Sequence, residues 1–311
     1  MPERDSAAGW LAAALAAVAL AGLVPMSAFA ADEFDPAAVA APGAASQPAA
    51  AASDKSAMDG DKAFWELGIG ISGITFPDYV GSDERRTWPL PFPYVVYQSR
   101  RIKVDQGTVS GILPLTDRLS LDVSAGGALP VDSSHNKARE GMDDLAAVGE
   151  IGPSLKYDIY RSDDDQRRLV LDLPLRAAVA VALDKVEYVG LISTPGLEYR
   201  VEQPAADGRW VFRTATGPMF ADQQYNSYFY GVHRDDATSR RRAYDADGGY
   251  GGWRVAGSIV RRWDQFWFGG FVRYINISGA VFDNSPLVKT NSYLIGGVGA
   301  AWVFATSKPG D

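Results

Sequence analysis

The chain has no cysteine in 311 residues. That single absence removes disulfides, lipid attachment at a cysteine, zinc–thiolate sites and thiol nucleophiles together. Histidine is almost as scarce, since His135 and His233 are the two imidazoles present, too few for a histidine-built metal site. Basic blocks are missing as well, and the net charge is -8, which argues against nucleic acid as a partner. Beyond residue 30 no apolar run approaches the ~20 residues that a membrane-crossing helix needs, so any crossing of a bilayer there is made by strands. No residue set asks for a cofactor.

The amino terminus reads as an export signal. Trp10 to Val24 is a run of Leu, Ala and Val that ends at Pro25, before the small-x-small triplet Ala28-Phe29-Ala30, so residues 1–30 are expected to be a signal peptide cleaved after Ala30. Residues 31–62 follow, dominated by Ala, Pro, Ser and Asp, with Pro36, Pro42 and Pro48 spaced through them. Such a stretch cannot bury enough apolar area to offset its ordering entropy, and a disordered periplasmic leader is expected.

From Phe64 onward the pattern is period two. Trp65, Leu67, Ile69 and Ile71 alternate with Glu66 and Ser72; Leu119, Leu121 and Val123 with Ser120, Asp122 and Ser124; Leu169, Leu171, Leu173 and Leu175 with Asp172 and Arg176. Similar alternation returns around Tyr157, Phe212, Val255 and Phe268, and in the last strand, Asn291 to Phe304, where Leu294, Val298, Trp302 and Phe304 share one face. Strands of ~9 to 15 residues with one greasy face suit a transmembrane barrel better than a soluble sandwich built from strands of ~5 to 6 residues. Short polar connections at 116–118, 161–168, 204–209 and 261–265 alternate with longer ones at 75–89, 129–147, 220–249 and 280–291, the asymmetry of periplasmic turns and outer loops. The expected fold is all-β: an antiparallel transmembrane β-barrel over residues 63–304, with about twelve strands and a short tail at 305–311. Splitting Pro91 to Leu113 at Arg100-Arg101 counts eleven, fusing it counts ten, and one further strand elsewhere makes the even twelve.

If the apolar residues face outer-membrane lipid, the lumen receives Glu66, Asp122, Asp158 and Asp172 against Lys156, Arg176, Arg213, Arg254 and Arg273. These charges either form an ion-selective lining that mildly favours anions, or pair with one another and fill the interior. A lipid-hydrolase reading would need a Ser and a His on the lipid-facing strands, and both histidines fall in loops. The acidic turn Ser162-Asp163-Asp164-Asp165 lacks the ligand spacing of an EF-hand loop.

Three stretches carry a family resemblance. They are Phe76-Pro77-Asp78-Tyr79-Val80-Gly81-Ser82-Asp83 with Pro89-Leu90-Pro91-Phe92-Pro93-Tyr94; Tyr225-Asn226-Ser227-Tyr228-Phe229-Tyr230-Gly231 with Tyr244; and Asp283-Asn284-Ser285-Pro286-Leu287-Val288. Together they resemble the MltA-interacting-protein/OmpV family of Gram-negative outer-membrane proteins over about residues 64–304, although here seven residues follow Phe304, where the family normally ends. The resemblance implies an outer-membrane barrel with no enzymatic activity. For some members it implies a scaffold that bridges a murein-cleaving lytic transglycosylase and a murein-synthesising penicillin-binding protein; other relatives are porin-like or adhesins. Pro77, Gly81, Pro89, Pro91 and Pro93 are expected to restrict the first outer loop and lead the chain back into the sheet. Tyr225, Tyr228, Tyr230 and Tyr244 either pack a long loop onto the rim or stack on sugars.

Overall fold

The computed structural model describes residues 64–98, 103–105, 108–110, 113–182, 185–205 and 208–307. The export signal, the leader and the Arg100-Arg101 split lie outside the described residues. Fifteen strand segments form one antiparallel sheet. They are β1 (Phe64–Pro77), β2 (Arg85–Gln98), β3 (Lys103–Asp105), β4 (Thr108–Ser110), β5 (Leu113–Pro114), β6 (Leu119–Ala128), β7 (Ala147–Arg161), β8 (Arg167–Pro174), β9 (Arg176–Val181), β10 (Val186–Ser193), β11 (Gly196–Ala205), β12 (Gly208–Ala221), β13 (Gly249–Trp263), β14 (Phe266–Asn276) and β15 (Ser292–Thr306). One helix, α1 (Gln223–Tyr230), lies between β12 and β13.

The sheet curls into a barrel, since β1 pairs with β2 on one side and with the last strand, β15, on the other. β8 and β9 pair with successive stretches of β7 and are two halves of one pass, interrupted at Leu175; β10 and β11 form one pass interrupted at Thr194-Pro195. Among the described residues ten passes run the height of the wall, with β8–β9 and β10–β11 counted once each, and the two- and three-residue segments β3, β4 and β5 lie between β2 and β6. The even number brings both ends of the sheet to one rim. At that rim the Trp65 amide donates to Ser307 Oγ at 2.8 Å. The last strand therefore runs past Phe304 to Thr306, and the expected tail begins later than residue 305. Connections 115–118, 162–166 and 264–265 share this periplasmic rim, while 78–84, 129–146, 222–248 and 277–291 cluster at the other.

β13 shows why these residues make a membrane wall. Trp253, Val255, Ile259 and Trp263 are exposed, whereas Arg254, Ala256 and Val260 between them are buried, the inverse of a soluble sheet. The same inversion runs around the barrel through Ile69, Ile151, Leu173, Val272 and Val298. Trp253 and Trp263 lie ten residues apart, and ~3.3 Å per residue at a ~40° tilt makes an apolar band ~25 Å tall between aromatic girdles.

The first outer loop is shorter than the expected 75–89: it is confined to residues 78–84, and Pro89 lies with Pro91 and Pro93 in β2. The reason is geometric. Ser72 Oγ donates to the Leu90 carbonyl at 3.1 Å, so Leu90 turns its backbone groups toward β1, and the three alternating prolines turn their nitrogens to the opposite edge. Proline is tolerated in a sheet where its missing N–H faces away from the neighbour, so the β1–β2 ladder loses no donor.

A candidate site in the barrel mouth

The four long outer loops fold into one body that enters the mouth of the barrel. Tyr79, Val131, Leu145, Phe229, Tyr230, Val232, Ala246, Phe282 and Leu287 pack together and against strand-end residues Val148, Ala178, Val189, Ile275 and Tyr293. Nearly all the loop motifs read from the sequence meet here. Tyr79 donates its hydroxyl to the Leu287 carbonyl at 2.8 Å, and Tyr230 stacks on Phe282 with 3.7 Å between ring centroids. Ser285 Oγ donates to the Tyr230 carbonyl at 2.8 Å, and Pro286, half-buried, follows it in the turn. Asp78 pairs with Arg86 at 2.7 Å and accepts from Asn136 Nδ2 at 2.9 Å; the same amide donates to Ser82 Oγ at 3.2 Å. Pro77 closes β1. Gly81 turns with φ 95°, a conformation that favours glycine, and its carbonyl accepts from the Lys289 amide at 2.7 Å. Tyr228 Oη accepts from the Ala146 amide at 2.9 Å, and Gly231 caps α1 by donating to the Ser227 carbonyl. Pro91, Pro93 and Tyr94 do not belong to this body, because they sit on β2.

The 222–248 connection, expected as a loop, contains α1. Asp222 starts the helix by accepting from the Tyr225 amide at 2.8 Å, and its other oxygen accepts from the Leu191 amide at 2.9 Å, which ties the helix start to β10. Gly190 permits that approach: its φ is 123°, and a Cβ there would lie 2.3 Å from Asp222 Oδ1. Tyr225 then reaches into the barrel and donates to Glu150 Oε1 at 2.9 Å.

Beneath the plug, the lumen charges form bonded groups. Arg176 donates to Glu150 at 3.1 Å, Ser124 at 3.0 Å and Thr194 Oγ1 at 3.2 Å, and is almost fully buried. Arg254 donates to the Thr194 carbonyl at 3.3 Å, Arg213 lies 3.6 Å from Glu198, and Lys156 3.4 Å from Asp122. Asp172 accepts from Ser154, and Asp158 pairs with Arg161 and Arg168 at 2.5 Å each. Glu66 joins Arg262 and Tyr94, both at 3.2 Å. Arg273 is half-buried on the inward face of β14, opposite Ala256 on β13. Toward the periplasmic rim the filling turns apolar. Phe92, Tyr94 and Val96 meet Val211, Val260, Trp267, Ala301 and Val303 in a buried cluster drawn from five strands. The phenyl and indole of Phe92 and Trp267 stand edge to face at 6.1 Å.

Two buried arginines carry no signal in the local sequence. Arg139 donates to Ser133 Oγ and to the Asp143 and Phe229 carbonyls, at 3.1, 3.1 and 3.4 Å. Arg241 donates to the carbonyls of Asp236, Ala138 and Glu140, the closest at 2.8 Å. Each guanidinium thus satisfies loop carbonyls that burial would otherwise strand. Burial holds Arg139 below the usual arginine range and raises the Tyr79, Tyr228 and Tyr230 phenols; the Tyr225 phenol is raised by burial and then by Glu150. These phenols stay protonated, and Tyr79 and Tyr225 use the proton as donors, to the Leu287 carbonyl and to Glu150.

Both histidines lie in these outer loops. Ser134, His135 and Asp132 are adjacent, but His135 Nδ1 meets Asp132 at 2.6 Å and Ser134 Oγ at 3.2 Å, while Ser134 Oγ itself donates to Asp132 at 2.6 Å. A hydrolytic triad needs the two ring nitrogens to face different partners; here one nitrogen faces both, and Asp132 caps a single 3-10 turn, Ser133–His135. Burial raises the Asp132 carboxyl, but hydrogen bonds from Ser134 and His135 outweigh it and hold the group below the usual carboxylate range. His233 begins another such turn, Arg234–Asp236.

The family model described as MltA-interacting protein MipA matches residues 69–304. Outer membrane protein Omp26La of Vibrio anguillarum is 32% identical over 84 residues, 26% of this chain and 31% of that protein, so the match spans about a third of that relative's length. Among solved structures, a Pseudomonas aeruginosa FadL homologue is similar at 12% identity and a TM-score of 0.26, over 70% of this chain and 62% of the other. A bacterial polysaccharide outer membrane secretin is similar at 10% identity and a TM-score of 0.35, over 77% of this chain and 99% of the other. With the match extending from β1 to Phe304, this chain is an outer-membrane β-barrel protein and belongs to the MltA-interacting protein MipA family.

Proposed function

We propose that this barrel is a membrane-embedded scaffold for envelope-maintaining enzymes rather than a solute channel. The observation that carries the reading is the occupied lumen: loops close its outer mouth, paired charges fill its middle, and the Phe92–Trp267 cluster fills its periplasmic end. A barrel occupied by its own side chains has its rims and its lipid face left to work with. The family's description names interaction with MltA. A murein-cleaving lytic transglycosylase of that kind would meet the periplasmic rim, where the turns 162–166 and 264–265 project. A murein-synthesising penicillin-binding protein is the second partner in this reading. The test is affinity capture on the detergent-solubilised, folded barrel incubated with each purified enzyme. Recovery of the transglycosylase, weakened by charge reversal at Asp163 and Asp164, is the expected result. Capture of neither enzyme by a barrel that keeps its heat-modifiable gel mobility would contradict it.

A further inference from the structure

We propose that the outer wall beside the periplasmic rim holds one phospholipid, with its phosphate on Arg261 and an acyl chain in a furrow floored by Gly270. Arg261 is on the outward face of β13, between Ile259 and Trp263, in a wall that is otherwise apolar at this level. It stands directly opposite Trp210 on β12 and Phe268 on β14. Its guanidinium carbon lies 4.5 Å from the Trp210 ring centroid and 5.9 Å from that of Trp263. The two indoles thus hold the cation at the level of the aromatic girdle, where lipid phosphates meet the apolar band.

A groove of about 650 Å³ opens from this cation up the lipid face. Ile259 and Val298 are its walls, and they lie on either side of Gly270 in the strand register. Glycine is not imposed there by crowding, because a Cβ on Gly270 would meet nothing nearer than 3.5 Å. The missing side chain leaves a furrow between two exposed aliphatic ones, two strand spacings or ~9.5 Å across. Because this wall faces the bilayer, the occupant is a lipid. A cation at the headgroup end selects a lipid that carries a phosphodiester, to which a guanidinium presents a planar fork of donors. The rim with the short turns places that lipid in the periplasmic leaflet.

The test is native mass spectrometry of the full barrel released from vesicles of phosphatidylethanolamine and phosphatidylglycerol, with diacylglycerol as the phosphate-free competitor. The wild-type barrel is expected to retain one phospholipid in preference to diacylglycerol. Arg261→Gln is expected to cut that retention about tenfold, the loss of one charge-assisted bond. Gly270→Leu, which fills the furrow and leaves the cation in place, is expected to cut it comparably. Heat-modifiable mobility identifies the folded fraction of each variant. Retention unchanged in either folded variant, or diacylglycerol held as well as phospholipid, would overturn the proposal.

Discussion

Tyr225 on α1 donates its hydroxyl to Glu150 on β7 at 2.9 Å, so a helix of the outer plug hangs directly on the charge network of the lumen. The other carboxylate oxygen of Glu150 accepts from Arg176, and plug and lumen are therefore one bonded unit.

This linkage predicts a graded mutant series. Tyr225→Phe removes one charge-assisted hydrogen bond and should cost roughly 1.5–3 kcal/mol. Glu150→Ala removes a carboxylate partner of the buried Arg176 together with the acceptor of Tyr225, and should cost about 3–5 kcal/mol. Because both act on one network, the double variant should cost less than the sum. Denaturant unfolding in detergent, followed by gel mobility, measures all three.

Gly190 gives a sharper local test. Gly190→Ala introduces a Cβ into a positive-φ position pressed against Asp222 and the Tyr225 amide, and should cost more than about 1 kcal/mol. The damage should be confined to the plug, with protease cleavage within 222–248 appearing while the barrel keeps its heat-modifiable mobility.

Acid should loosen the 129–146 loop. The Asp132 carboxyl lies lower in the folded protein than in the unfolded chain, so its contribution to loop stability is fully present above the unfolded value of ~3.9 and fades as pH falls through the folded value. Protection factors in residues 131–136, which remove the intrinsic slowing of exchange in acid, should fall on acidification. Asp132→Asn should show the lowered protection already at neutral pH and little further change below it.

The wall was legible because lipid imposes one rule on every pass, and Trp253, Val255, Ile259 and Trp263 obey it along β13, with Gly257 and Arg261 the two departures on that face. The mouth was less so. Pro89, Pro91 and Pro93 resemble loop punctuation, and their place in β2 depends on which edge of the strand meets β1, a fact of pairing that local sequence does not carry. α1 contains two glutamines, an asparagine and a serine in eight residues, and its helical signals, the Asp222 cap and the spacing of Tyr225, Tyr228 and Phe229, are short enough to read as a tyrosine-rich loop. Arg139 and Arg241 look like solvated loop charges until residues distant in the chain bring carbonyls to them, as Phe229 does for Arg139.

The lipid face itself can be tested by charge. Val298 is 71% exposed near the middle of β15. In water a Val298→Arg change on such a surface would fall within about ±0.5 kcal/mol. In a bilayer it should cost roughly 2–4 kcal/mol. Equilibrium folding into phospholipid vesicles distinguishes the two, with Thr306→Arg at the rim as the control that should cost ~0–1 kcal/mol.

The occupied lumen is tested most directly by single-channel recording of the purified barrel in planar bilayers. The wild-type protein should insert without a persistent current, and a variant with residues 222–248 replaced by a short linker should conduct at most weakly, because the charge network and the Phe92–Trp267 cluster remain below. A steady open current from the wild-type barrel would contradict the account.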